Sequence, residues 1–163
     1  MRVAILESIV MPAGHEVEFD RILINELNRQ GHEPVLFVPE NFPFKVDYGV
    51  DIVYIGGGEV VTYAGASKWK KLFLSILRER RRRSWFTSAA EKIKEHNIDA
   101  LIIPTGTYRY IKALLDTPLK DSKAAVHVIF HGIGKGEMDR FIKQAHRANA
   151  YKNVYLDVIS LRD

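Results

Sequence analysis

Hydrophobic and polar positions change period along this chain in a regular way, and each change predicts an element. Residues 2–8 form a short apolar run that reads as a strand. A small-residue turn follows, in which Gly14 permits a tight reversal, and Phe19, Ile22, Leu23 and Leu27 then recur at helical spacing as one apolar face. Glu16, Glu18 and Asp20 crowd the first helical turns, where the helix dipole favours negative charge, and Gly31 stands where a left-handed cap is wanted. Apolar residues resume at 34–38. The stretch 2–39 therefore predicts a strand, helix, strand unit.

Residues 51–55 predict a third strand, short and apolar, closed by Gly56, Gly57 and Gly58. From 67 to 96 the pattern is helical and reads as two helices broken near 84–88. Trp69, Leu72, Phe73, Ile76 and Leu77 form the apolar stripe of the first, and Ala89, Ala90 and Ile93 belong to the second. Residues 98–104 lack polar alternation, as expected for a central strand covered on both faces. A short helix at 110–115, another buried strand at 124–132, a helix at 137–148 and a last strand from 153 complete the series. This alternation predicts an α/β chain, a single domain whose open, mostly parallel sheet carries helices on both faces.

Composition narrows the class. A chain of 163 residues, 47% hydrophobic, is long enough for one real core. It has no cysteine, which excludes disulfides and thiolate chemistry. No apolar run reaches the roughly 20 residues needed to span a bilayer, and MRVAILESIV lacks the pattern of a signal peptide, so a soluble, cytoplasmic protein is expected. The net charge is only +4, but Arg80, Arg81, Arg82 and Arg83 stand together, with Trp69, Lys70 and Lys71 on the same helical stretch. Such a run fits a solvated helix face first and a peripheral contact with the anionic inner face of a membrane second; nucleic acid is the least favoured partner.

In open parallel sheets ligands bind beyond the carboxyl ends of the strands, where strand order reverses. Those ends carry Glu7, Ser8, Gly14 and His15 after the first strand, Gly56 to Glu59 after the third, Thr105, Gly106, Thr107, Tyr108 and Arg109 after the fourth, and His131, Gly132 and Gly134 after the fifth. Neither G-x-G-x-x-G after the first strand nor G-x-x-x-x-G-K-[ST] anywhere is present, which argues against NAD and P-loop chemistry. The stretch GIGKG at 132–136 is either a plain strand-to-helix turn or a weak phosphate cradle. His131 is a candidate general base or hydrogen-bond donor, against a bland strand cap. His127, inside the apolar run, reads as a hydrogen-bonded core histidine, and the two are too far apart along a strand to share a metal. The Arg109 guanidinium can fork onto a phosphate or carboxylate, or sit in a surface salt bridge.

These residues carry a resemblance. The opening strand, the PAGHE loop, the helix, then RQGHEPVLFVP at 29–39 as helix end and second strand, and VHVIFHG at 126–132 resemble the N-terminal half of a GT-B fold glycosyltransferase, family 4-like, with a Rossmann-like sheet. The resemblance implies a half that binds the acceptor, a sugar or lipid-linked molecule, with Gly14, His15, Thr105, Gly106, Tyr108, Arg109 and Gly132 lining the cleft and His131 as the catalytic candidate. It implies no cofactor or metal in this half. A nucleotide-sugar donor is held mainly by a C-terminal donor-binding domain that the 163 residues do not include, so the chain alone is expected to be inactive. Competing readings are a stand-alone, non-catalytic Rossmann-like module for a nucleotide, a sugar or a protein, and a small flavodoxin-like protein that binds a flavin.

Overall fold

The computed structural model describes residues 1–8, 16–43, 48–57 and 63–159. Gly14, His15, Gly58 and Glu59 lie outside them. Six strands, β1 (Arg2–Leu6), β2 (Glu33–Val38), β3 (Asp51–Tyr54), β4 (Ala100–Ile103), β5 (Ala125–Phe130) and β6 (Val154–Val158), alternate with helices α1 (Glu16–Arg29), α2 (Lys68–Glu95), α3 (Tyr108–Leu115) and α4 (Met138–Ala148). All strand pairs are parallel, in the order β3-β2-β1-β4-β5-β6. This is the expected open parallel sheet, and the 98–104 run is central in it, as predicted. Strand order reverses between β1 and β4, so the crevice lies beyond Leu6 and Ile103.

The two faces are covered unequally. Ile24 and Leu27 of α1 pack on Val3, Ile5, Leu36 and Val38. On the opposite face α2, α3 and α4 close over Leu6, Phe37, Leu101, Val126 and Val128 through Phe86, Ala89, Ile93, Ile111, Leu114 and Ala148. Gly31 takes the anticipated left-handed conformation, φ 78°, and the His32 amide donates to the Leu27 carbonyl at 2.9 Å, which ends α1.

Four expectations fail here. Residues 84–88 do not break a helix: α2 runs unbroken for 28 residues. Serines weaken a helix but do not stop one, and Trp85, Phe86, Ala89, Ala90 and Ile93 fix this segment to the core. The Trp69, Leu72, Phe73, Ile76 and Leu77 stripe is not a core face; Trp69 is 82% exposed and Phe73 59%. The reason is length. A helix of 28 residues extends ~42 Å, about twice the ~20 Å of a six-residue strand, so its first half projects beyond the carboxyl edge of the sheet. Ile22 also faces solvent, because the buried side of α1 is set by Asp20, Ile24 and Leu27. Finally, β5 is covered on one face and half-covered on the other. His127 lies on that half-open side and is not a core residue. Its Nδ1 is 2.9 Å from Asp157 Oδ2, and its ring stacks on Tyr155.

Candidate functional site

The carboxyl edge gathers groups from four elements. After β1, the Ser8 hydroxyl lies 2.5 Å from the Tyr110 hydroxyl of α3, a bond across the point where strand order reverses. After β4, the Gly106 amide donates to the Ile129 carbonyl at 2.7 Å, holding the loop against β5. After β5, His131 Nε2 donates to the Pro104 carbonyl at 2.8 Å. A carbonyl can only accept, so the neutral ring keeps its proton on Nε2 and presents Nδ1 as a lone pair. The edge of the Phe19 ring, from α1, meets the same imidazole at 5.0 Å between centroids. The result is a solvent-facing imidazole, fixed in tautomer and orientation by neighbours on two sides.

Two acids are buried near Tyr48. Glu7 is 2% exposed and Asp20 1%. Both charges act on Tyr48, whose phenol is pushed up to about 12, first by burial and then by Asp20 and Glu7. The sequence reading attributed Asp20 to the helix dipole. A signal was available: Asp20, Ile24 and Leu27 share helical spacing, so an acid on that face had to be buried.

Gly106, Tyr108 and Gly132 come together, with Phe130 and Phe141, around a small cleft between the β4 and β5 ends. Thr105 is half-buried beside it, and Thr107 caps α3 by accepting from the Arg109 amide at 3.3 Å. Tyr108 turns toward two guanidinium groups: Arg109 Nε donates to its oxygen at 3.1 Å and Arg140 Nη1 at 3.3 Å. The Arg109 bond, more than the one from Arg140, holds this phenol below its ordinary range. On the far side of Tyr108 a cavity of about 290 Å³ opens between α2 and α3, lined by Arg78, Glu79, Arg82, Arg109 and Lys112 among others. Gly134 begins a short 3-10 turn, Lys135–Glu137, that leads into α4.

The arginine run divides. Arg80 is exposed, as are Trp69, Lys70 and Lys71. Arg81 lies over the Trp85 ring, Arg82 over the Tyr110 ring with its Nη1 donating to Glu79 at 2.7 Å, and Arg83 pairs with Asp116 at 2.8 Å. Three of the four are thus engaged in the fold. Burial, then the neighbouring Arg78 and Arg82, depress the Arg81 guanidinium below its usual range.

A larger cavity, about 710 Å³, lies at the opposite, amino edge of the sheet, beside Ile93, Asn97, Asp99 and Ser122. It lacks His131, Tyr108 and the acidic pair, and parallel sheets do not place their ligand crevice at that edge. Size alone does not make it the site.

No family model matches the sequence, and no curated protein matches it in sequence. Solved structures do match the fold. The glycosyltransferase SnogD from Streptomyces nogalater superimposes with a TM-score of 0.54 at 14% identity, over 99% of this chain and 43% of that one. Glycosyltransferase VinC, determined in complex with dTDP, gives 0.55 at 16%, over 90% and 39%. CalG4, the calicheamicin glycosyltransferase, gives 0.57 at 17%, over 93% and 38%. The chain therefore shares its fold with part of each enzyme and spans about two fifths of their length.

Proposed function

We propose that this chain is the acceptor-binding half of a glycosyltransferase, working with a second domain that holds a nucleotide-sugar donor. The observation that carries the reading is His131, fixed by Pro104 and Phe19 at the carboxyl edge of the sheet, on a fold shared with glycosyltransferases. Its Nδ1 takes the proton of an acceptor hydroxyl as that oxygen bonds to the anomeric carbon. The bond from that carbon to the donor phosphate breaks, and its electron pair leaves on the nucleotide diphosphate. Thr105, Gly106, Tyr108, Arg109 and Gly132 line the acceptor side of the cleft. The isolated chain folds but does not turn over.

In the assembly with the donor-binding domain, His131→Ala lowers turnover about 10-fold or more with the thermal midpoint nearly unchanged. Steady-state transfer assays and thermal melts of the same preparations check this. Full turnover with a lowered midpoint returns His131 to a strand cap and removes the base from the scheme.

The reading extends to an anionic membrane surface, met by the projecting part of α2. Trp69, Lys70, Lys71 and Arg80 are exposed there at helical spacing, an aromatic beside cations. Among the described residues no helix is long and apolar enough to cross a membrane, so the contact is peripheral. Co-sedimentation of the chain with vesicles rises with their anionic lipid content and falls several-fold for Lys70→Gln/Lys71→Gln. Equal sedimentation of both proteins rejects it.

A further inference from the structure

We propose that the cavity between α2 and α3 is a phosphoryl-group site, so that the acceptor this half receives is a phosphorylated molecule. Four cationic side chains line it, Arg78, Arg82, Arg109 and Lys112, against one carboxylate, Glu79, already taken by Arg82 at 2.7 Å. Two of the four hold donors in reserve. Arg109 uses Nε on Tyr108, and neither its Nη groups nor Lys112 Nζ hydrogen-bonds to the described residues. The Tyr108 contact fixes the Arg109 guanidinium plane and leaves its outer edge as a two-pronged donor, the geometry that suits a phosphate. The cavity spans about 290 Å³ and is walled on one side by Ile76 and Ser75, so it is a recess with a floor and not a bare charged surface. The amino end of α3 adds partial positive charge from the helix dipole.

Cations crowd this end of the helix at a cost. Arg78 and Arg82 each weaken the charged state of Arg81 beside them. Four cationic groups converging on one recess repel one another, and a bound phosphomonoester, carrying about −1.5 to −2 at neutral pH, relieves that repulsion. Tyr108 borders both this recess and the small cleft after β4, so a phosphate held here sits next to the loop that carries Thr105 and Gly106. Naming the ligand as acceptor rests on the transferase reading; the anion site itself does not.

The test titrates inorganic pyrophosphate, and separately inorganic phosphate, into the chain by calorimetry, with amide chemical shifts followed around 106–112. Wild type binds. Arg109→Gln/Lys112→Gln weakens pyrophosphate binding about 10-fold or more, and Lys112→Gln alone, whose ammonium makes no hydrogen bond or ion pair among the described residues, about 3-fold. Lys143→Gln/Lys152→Gln removes the same net charge from exposed positions elsewhere and stays within about 2-fold. A second arm offers phosphatidylcholine vesicles with and without phosphatidic acid. Parallel loss in the Arg109/Lys112 variant assigns the recess to a lipid phosphate, and retained vesicle binding assigns it to a free one. Absence of pyrophosphate binding by wild type, or equal weakening by the two double variants, overturns the proposal. Because no donor or transfer enters these measurements, a failed transferase assay leaves a positive result standing, and intact transfer without anion binding rejects only this site.

Discussion

Replacing Phe86 with alanine lowers the unfolding free energy by about 3–5 kcal/mol, whereas Phe73→Ala, thirteen residues earlier on the same helix, stays within about 0.5 kcal/mol. Phe86 is fully buried, packs against Tyr110 at 5.9 Å between ring centroids, and joins α2 to the core over the sheet. Removing it leaves a cavity that the parallel sheet beneath cannot collapse to fill. Phe73 is 59% exposed on the projecting half. Denaturant unfolding of the two variants compares them directly. A loss above about 1.5 kcal/mol for Phe73→Ala would mean that the outer half of α2 is packed in solution, and would remove the surface on which the membrane proposal rests.

Gly106→Ala is expected to cost about 1–3 kcal/mol and to disturb the cleft at the same time. A Cβ there would lie 2.6 Å from Val128 Cγ1 and 2.8 Å from the Ile129 carbonyl oxygen. The side chain can turn aside, but the carbonyl belongs to β5 and accepts from the Gly106 amide itself. The loop must therefore move off the strand, carrying Tyr108 and Arg109 with it. Thermal unfolding together with pyrophosphate titration reads both effects. A variant with wild-type stability and wild-type anion binding would show that this contact does not fix the loop.

Much of the architecture was legible because its cause is local. Periodicity and β-branched runs marked each strand, and Gly31 marked where α1 stops. The unequal loading of the two faces was not legible: nothing local to β5 says that one side lacks a helix, so His127 read as a core residue. The continuity of α2 was missed for a related reason. Its Ser84 to Ser88 segment is weak by propensity and is held by tertiary contacts of Trp85 and Phe86. At the site, the sequence placed Thr105, Gly106, Tyr108, Arg109, His131 and Gly132 at strand ends, and the fold brings them to one edge. What it withheld were partners far apart in the chain. Ser8 meets Tyr110 and His131 meets Pro104 only once β1, β4 and β5 take their order. The same holds for Arg83 and Asp116, whose pairing turns part of a seemingly solvated run into a brace between α2 and the end of α3.

The overhang of α2 divides one continuous helix into two regimes of motion. From Trp85 onward its amides are opened only with the core, and their hydrogen exchange follows global unfolding; at 68–77, with little apolar burial to lose, the helix frays from its amino end with a free energy near zero while the domain stays folded. Hydrogen exchange along this single element thus passes from fast to slow. Whatever settles on the projecting half will declare itself first as slowed exchange in those ten residues, before any change in the melting of the whole.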